Sequence, residues 1–426
     1  MDRYPEVLEY LYQALPMYQR VGAAAYRDNL DNTLALCDAL GNPERLFKSI
    51  HVAGTNGKGS TSHMIAAILQ AAGYKTGLYT SPHLKDFTER IKINGQEVPK
   101  RFVIDFVDRM KPTLDALEPS FFEMTVGMAF DFFAQEGVDI AVVEVGLGGR
   151  LDSTNVIVPE LSIITNISWD HMALLGNTLP KIAFEKAGII KESVPVIVSE
   201  RQEEVEDVFI TRSAHLNAPL VFASDVIQLH HGSAGYDVYQ NGSLWLEALA
   251  IGLQGNYQRK NLPGVLAAVL IMKERGWHIA DTAVIKGISD VTRLTGLKGR
   301  WQILHEKPLT ICDTGHNEAG IKEITNQLRE TPHRKLHMVI GMVNDKDISG
   351  ILKLLPLEAV YYFCQASIPR AMNADLLASE ASAAGLKGEV VGDVNTAIDL
   401  ALSNADPEDL IFVGGSTFVV AEVDAL

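Results

Sequence analysis

Between residues 49 and 72 an apolar run, a glycine-rich turn and a helix-forming stretch follow one another without interruption. Residues 49–53 read as a buried strand and residues 60–72 as a helix closed by Gly73. Between them runs Gly54-Thr55-Asn56-Gly57-Lys58-Gly59-Ser60-Thr61. Strand, glycine turn and helix in that order let backbone N–H groups converge on an anion. A lysine adds a point charge there, and the helix N-terminus adds about half a positive charge. A plain glycine turn needs neither the lysine nor the helix. The turn departs from the usual phosphate loop at one position, because Gly59 rather than Ser or Thr follows the lysine. A metal-facing hydroxyl would then come from Ser60 or Thr61.

The rest of the chain alternates in the same manner. Helices are expected at residues 5–15 and 32–40, a strand at 74–81, and a hairpin at 90–98 turning on Asn94-Gly95. Helices at 101–117 and 122–136 lead to strands at 139–146 and 161–167. A helix near 180–190 and a strand at 194–199 follow. This pattern predicts a mostly parallel, helix-covered sheet. Residues 226–253 change texture to short alternating segments around Asn241-Gly242, as antiparallel strands would, and 262–275 return to helix. Two glycines and few large apolar residues mark 292–299 as a linker, after which the β-α alternation restarts. The expected organisation is a domain of residues 1–295 and a smaller α/β domain of residues 296–426.

Composition narrows the function classes. Lys and Arg number 37 against 53 Asp and Glu, a net charge of −16. Nucleic-acid binders usually carry a basic face, so nucleic acid is not expected as a partner, whereas a local nest with one lysine still holds a small anion. Cys37, Cys312 and Cys364 are odd in number and far apart, which suits reduced thiols and a cytoplasmic chain. The longest clean apolar run, 265–272, is far short of the roughly 20 residues of a membrane span, and the N-terminus has no signal-peptide pattern.

Several further residues sit where chemistry is expected. Glu144 ends a buried strand and His171 lies just past another. This is the sheet edge at which open α/β folds bind ligands. A buried carboxylate needs a cation or donors to remain ionised, and Mg²⁺ beside ATP phosphates would serve. By spacing alone, the histidine of Trp169-Asp170-His171 fits a hydrogen-bonded loop residue better than a metal ligand. Gly146-Leu147-Gly148-Gly149-Arg150 fails the dinucleotide fingerprint, because Leu151 stands where the third glycine belongs. Asp313 and Asn317 read equally well as loop caps. Asp345-Lys346-Asp347 reads as a solvated charge run, Phe121-Phe122 as core, and Lys186 beside Glu185 as a surface pair.

Taken in order along the chain, GTNGKGS (54–60), TSPHL (80–84), RIKING (90–95), FFE (121–123), EVGLGGRLDSTNV (144–156), WDHMALLG (169–176), FEKAGIIK (184–191), KGRWQIL (298–304), DTGHN (313–317), GMVNDKD (341–347) and GGSTF (414–418) form one set. The sequence resembles the folylpolyglutamate synthase/dihydrofolate synthase family of the Mur ligase superfamily. The resemblance covers nearly the whole chain, and the GLGGRLDSTN and EKAGIIK pieces are its most specific parts. It departs from the family pattern at Glu318, where proline is common, and at Ser153, where alanine is usual.

The resemblance implies an α/β fold: a phosphate-loop domain with a mostly parallel sheet, of the Mur ligase central type, and a smaller Rossmann-like C-terminal domain. It implies an ATP-dependent ligase that phosphorylates the carboxylate of dihydropteroate or a reduced folate. The amine of L-glutamate then attacks the acyl phosphate. Thr55, Asn56, Gly57, Lys58, Gly59, Ser60 and Thr61 would hold phosphates, with Asn261, Arg300, Asp313 and His316 also at the nucleotide, so the two domains would close on one ATP. Ser81, Glu144 and His171 would surround Mg²⁺, and Lys186, carrying CO₂ as a carbamate, would reach a second Mg²⁺. Lys58, Lys186 and His171 would then be the catalytic set. Phe121, Phe122, Glu123, Leu151, Asp152 and Ser153 would line the pterin pocket, with an aromatic face for stacking and an acid for N–H donors. The family expectation is a cytoplasmic monomer with small-molecule partners only. Two rival readings stand beside this one. A Mur ligase acting on a nucleotide-linked sugar usually carries a separate N-terminal domain, and only 53 residues precede the loop here. A phosphate-loop switch or transport ATPase would hydrolyse nucleotide without an amino-acid substrate.

Overall fold

The eight strands of the first sheet are Lys48–Ala53 (β1), Thr76–Tyr79 (β2), Ile91–Ile93 (β3), Gln96–Glu97 (β4), Ile140–Glu144 (β5), Leu161–Ile164 (β6), Val196–Val198 (β7) and Leu220–Phe222 (β8). Their spatial order is β4-β3-β2-β5-β1-β6-β7-β8, parallel from β2 to β8 with β3 and β4 antiparallel at one edge. β5 is buried along its whole length and β1 at all but its first residue. That explains their unbroken apolar texture: a parallel strand covered on both faces has no solvent side to mark with polar residues. The computed structural model that shows this describes residues 3–16, 28–344 and 348–426. The Asp345-Lys346-Asp347 run lies outside the described residues.

Helices cover the sheet. Lys100–Leu117 and Phe121–Glu136 pack with Tyr4–Ala14 and Asp31–Ala39 in one apolar cluster around Phe87, Phe106, Phe130 and Phe133. A second cluster joins Ile164 and Val196 to Ile182 on the helix Leu179–Ala187 and to Phe209. Phe121–Glu136 starts on a capping box. Ser120 Oγ accepts from the Glu123 amide and the Glu123 carboxylate accepts from the Ser120 amide, while Gly137 in the left-handed region ends the helix. A separate three-stranded antiparallel sheet follows at Ile227–His231 (β9), Tyr236–Gln240 (β10) and Ser243–Leu249 (β11).

The chain forms two compact units, Met1–Gly252 with Gln258–Leu297 and Leu253–Tyr257 with Lys298–Leu426. The stretch expected as a linker is helical through Val291–Thr295 and capped by Gly296 at φ 66°. Its helix is held inside the first unit because Lys92 Nζ donates to the Thr295 carbonyl and Thr295 Oγ1 pairs with His63 Nδ1. The boundary therefore falls after Leu297. The second unit carries Gln302–Glu306 (β12), Leu309–Cys312 (β13), Leu336–Ile340 (β14), Val360–Cys364 (β15), Gly388–Gly392 (β16) and Leu410–Gly414 (β17). They are ordered β12-β13-β17-β14-β15-β16 and are parallel apart from β12. All three cysteines are buried and free, and no helix among the described residues is long and apolar enough to cross a membrane.

Candidate active site

β1 leads directly into the glycine loop, and the helix Lys58–Ala71 begins two residues earlier than its sequence texture suggests. The glycines are demanded by geometry at two places. Gly54 has φ 144°, and a Cβ there would lie 1.8 Å from Thr165 Oγ1. Gly57 has φ 85°, and a Cβ there would lie 2.1 Å from Asn261 Oδ1. The loop is laced to the segment after β6. Thr55 N donates to Asn166 O, Asn56 N to Asn166 Oδ1, and Thr165 Oγ1 to Asn56 O at 2.6 Å. Lys58 Nζ lies over the loop and donates to the Gly54 and Thr55 carbonyls, each at 3.1 Å. Among the described residues Thr61 Oγ1 is buried with no hydrogen-bond partner, a polar atom on the first turn of the helix with its capacity unspent.

Strand order decides what surrounds this loop. β5 and β6 flank β1, and β2 lies beyond β5, so the C-terminal ends of β2, β5 and β6 meet at one edge of the sheet. Ser81 follows β2 and donates its amide to Glu144 Oε2 at 3.3 Å. Glu144, at the end of β5, is buried. His171 sits past β6 in the left-handed region at φ 50°, with its amide on Asp170 Oδ1 and its Nε2 3.8 Å from the same oxygen.

The two most specific sequence motifs turn out to be one packing unit. Arg150 and Glu185 form a two-pronged ion pair, and Arg150 N donates to the Glu185 carbonyl. A Cβ on Gly188 would fall 2.3 Å from Arg150 Cα, and Asn155 Nδ2 donates to the carbonyls of both Arg150 and Gly188. This seam seats the last turn of Leu179–Ala187 against the glycine loop. Lys186 is therefore not a surface residue. It is 4% exposed and its Nζ donates to Gly54 O at 2.8 Å. Burial, and then the charge of Lys58, bring its ammonium down to about 7 against the pull of Asp170 and Asp152.

The expected pterin residues divide by environment. Phe121 belongs to the core, with its ring under the Arg90 guanidinium at 5.3 Å and beside Tyr12 and Phe87. Glu123 is occupied in capping its own helix. Phe122 is only partly buried, faces Tyr79 and closes over Gly146. Asp152 is buried and accepts from Leu147 N and from Thr154 N and Oγ1, and burial raises its pKa against these bonds. Ser153 is buried and Leu151 half-buried in the same loop. Asn261 lies in the first unit, 4% exposed, on the helix Gln258–Glu274.

Arg300, Asp313 and His316 gather in the second unit at the C-terminal end of β13. Asp313 accepts from Tyr257 OH at 2.5 Å, Trp301 N at 2.7 Å and Gly315 N at 2.8 Å. Arg300 donates to Thr314 Oγ1, and His316 Nδ1 lies 3.0 Å from Thr314 O. Sequence reasoning missed Tyr257 and Gln258. Gln258 had one available signal, its place three residues before Asn261 on a common helix face.

A model of the Mur ligase middle domain matches residues 52–269, and one of the Mur ligase glutamate ligase domain matches residues 299–417. The chain is 34% identical over 400 residues to a dihydrofolate synthase/folylpolyglutamate synthase of Bacillus subtilis, covering 90% of this chain and 91% of that one. The chain belongs to the dihydrofolate synthase/folylpolyglutamate synthase family of Mur ligases. Members of this family are ATP-dependent ligases that join glutamate to folates. FolC of Escherichia coli, solved in complex with DHPP and ADP, has the same fold, with TM-score 0.87 at 30% identity over 98% of this chain and 96% of that chain. A bifunctional folylpolyglutamate synthase/dihydrofolate synthase solved with Mn, AMPPNP and L-glutamate bound gives TM-score 0.84 at 29% identity over 99% of this chain and 97% of that one. The chain spans 50% of the length of a relative in Haloferax volcanii, a probable bifunctional folylpolyglutamate synthase/dihydropteroate synthase 32% identical over 433 residues.

Proposed function

We propose that this chain adds L-glutamate to dihydropteroate and to reduced folates, using ATP to make an acyl phosphate. The reading rests chiefly on one observation. The phosphate loop, Lys58, Lys186 and Glu144 lie where β1 and its neighbouring strands end, the edge at which an α/β sheet binds its ligands. Joining a carboxylate to a polyanion requires their repulsion to be neutralised and charge on the moving phosphoryl group to be held. Lys58 and the loop amides do this for the phosphates. Arg300, Asp313 and His316 are the nucleotide contacts we assign to the second unit, and Asn261 the one in the helix of the first.

The donor set suits Mg²⁺. Ser81, Glu144 and His171 offer one carboxylate, one hydroxyl and one imidazole, and among the described residues no three His, Cys, Asp or Glu side chains cluster as a metal cage. That sparse arrangement is how Mg²⁺ is usually held, by one or two carboxylates together with substrate phosphates and water. When bound, the ion supplies positive charge to the transferring phosphoryl group. A divalent ion in a family member supports this reading.

Lys186 is our assignment for a carbamate. Its amine stands at about 7, so a large fraction is uncharged near neutrality and able to add CO₂, and the carboxylate formed would reach a second Mg²⁺. Phe122 and Asp152, with Leu151 and Ser153, form the pterin side of the site; Phe121 and Glu123 support them through packing and capping. The remaining expectations, a cytoplasmic monomer with only small-molecule partners, belong to the same proposal. Mass spectrometry of the products from dihydropteroate and, separately, tetrahydrofolate, each with ATP, Mg²⁺ and glutamate, tests the activity. Products heavier by one or more glutamyl residues are expected from both. Phosphate release that ignores glutamate and every pterin would instead favour a nucleotide switch.

A further inference from the structure

Gln258 is fully buried at the start of the helix Gln258–Glu274. Both ends of its amide are committed. Its Oε1 accepts from Asn261 Nδ2 at 2.8 Å, and its Nε2 donates to Ser60 Oγ at 3.1 Å. Asn261 turns its own oxygen toward Gly57, where an added Cβ would sit 2.1 Å from Oδ1. The amide order is therefore directional. Asn261 donates to Gln258, and Gln258 donates to Ser60.

A serine hydroxyl has one proton and two lone pairs. Once Oγ accepts from Gln258, its proton must go elsewhere, and among the described residues no acceptor takes it. Ser60 lies on the first turn of Lys58–Ala71, where helical N–H groups also point toward an anion. We propose that Gln258 is a positioning residue for the triphosphate: by donating to Ser60 Oγ it turns the Ser60 hydroxyl proton onto a phosphate oxygen. Ser60 thereby serves the phosphates as a donor, and Gln258 acts through it without touching the nucleotide. This inference rests on the reading of residues 54–61 as the ATP phosphate site.

Two variants separate this role from packing. Gln258→Met removes the donor at similar volume. Gln258→Glu keeps the shape almost unchanged and replaces the donor by an acceptor that draws the Ser60 proton back. Steady-state KM for ATP, KM for the folate substrate and kcat should be measured for both, for Ser60→Ala, and for Gln258→Met combined with Ser60→Ala. We expect Gln258→Met to raise KM for ATP about tenfold, the scale of a lost hydrogen bond to a charged group, with folate KM within about twofold. Gln258→Glu should be worse than Gln258→Met although it is closer in shape. In the Ser60→Ala background, Gln258→Met should add less than about twofold, since coupled residues are not additive. Additive losses, a milder effect from Glu than from Met, or equal rises in both KM values overturn the proposal. Lys58→Ala is the control for the underlying reading. If it leaves ATP affinity unchanged, the phosphate-loop assignment fails. If Lys58→Ala weakens ATP and the Gln258 variants do not, the positioning role alone fails.

Discussion

Lys186 shows how much a single side chain depends on its surroundings. In sequence it stands beside Glu185 on a helix and resembles any solvated pair, yet the fold buries it and points its amine at the Gly54 carbonyl. We predict that Lys186→Ala loses most of the ligase rate, with partial rescue by added small carboxylates. Turnover near that of the parent enzyme would remove Lys186 from the reaction. After CO₂ is stripped, CO₂ restored to the same dissolved concentration should bring activity back faster at pH 8 than at pH 6, because the amine titrates at about 7 and only its uncharged form adds CO₂, releasing a proton as the carbamate forms. His51 carries a second consequence of burial. It is fully enclosed on β1 against Thr154 Oγ1 at 2.8 Å, and desolvation takes its pKa from 6.5 to about 3. Between those values the unfolded chain binds a proton that the folded chain refuses. Stability should thus fall as pH drops from about 6.5 toward 3, and His51→Gln should flatten that part of a urea-midpoint profile.

At the level of elements, local chemistry and tertiary packing agree where the site is built. The helix Phe121–Glu136 begins on a reciprocal cap legible as Ser-x-x-Glu, Ser120 to Glu123. Ser120→Ala should cost about 1 kcal/mol in chemical denaturation, leaving the Ser120 amide still paired with Glu123. The same cap explains why Glu123, a reasonable pterin acid on paper, has its carboxylate engaged within its own helix. Gly57 is a stricter constraint. Its φ of 85° and its approach to Asn261 leave no room for a methyl group. Gly57→Ala should raise KM for ATP at least about tenfold and also lower the thermal midpoint, because native-state strain of about 1–3 kcal/mol counts against folding wherever in the molecule it lies. Element boundaries were less legible than element types. The helix after the loop starts at Lys58, and that containing Asn261 starts at Gln258, before Pro263. Pro263 stands inside that helix, where it removes one backbone hydrogen bond without ending the helix, so it marks a boundary poorly.

At the scale of the molecule, the chain does not divide at one point. Leu253–Tyr257 packs with the second unit although sequence on both sides belongs to the first. Asn256 N donates to Gln327 Oε1 and Tyr257 OH to Asp313, so a five-residue segment helps to hold the loop after β13, whose Asp313 accepts from the Trp301 amide next to Arg300. Tyr257→Phe should weaken that loop by about 1–2 kcal/mol, read as roughly five- to thirtyfold faster hydrogen exchange at the Trp301 and Gly315 amides. Unchanged protection would mean that Asp313 is held well enough by the two backbone donors.

Periodicity and motif chemistry specify the helix-covered parallel sheet, the glycine loop with its lysine, and the strand-end places of Glu144 and His171, while the resemblance of the ordered motifs points to the family. These are properties written in neighbouring residues: unbroken apolar runs, glycines where φ turns positive, a lysine at a helix start. Tertiary structure alone decided which of the candidates face the site. Phe121 went to the core and Phe122 did not, Lys186 went inside, and Gln258 and Tyr257 acquired partners 198 and 56 residues away. Burial, pKa and the direction of a hydroxyl proton depend on atoms brought together from distant parts of the chain, and no local pattern encodes them.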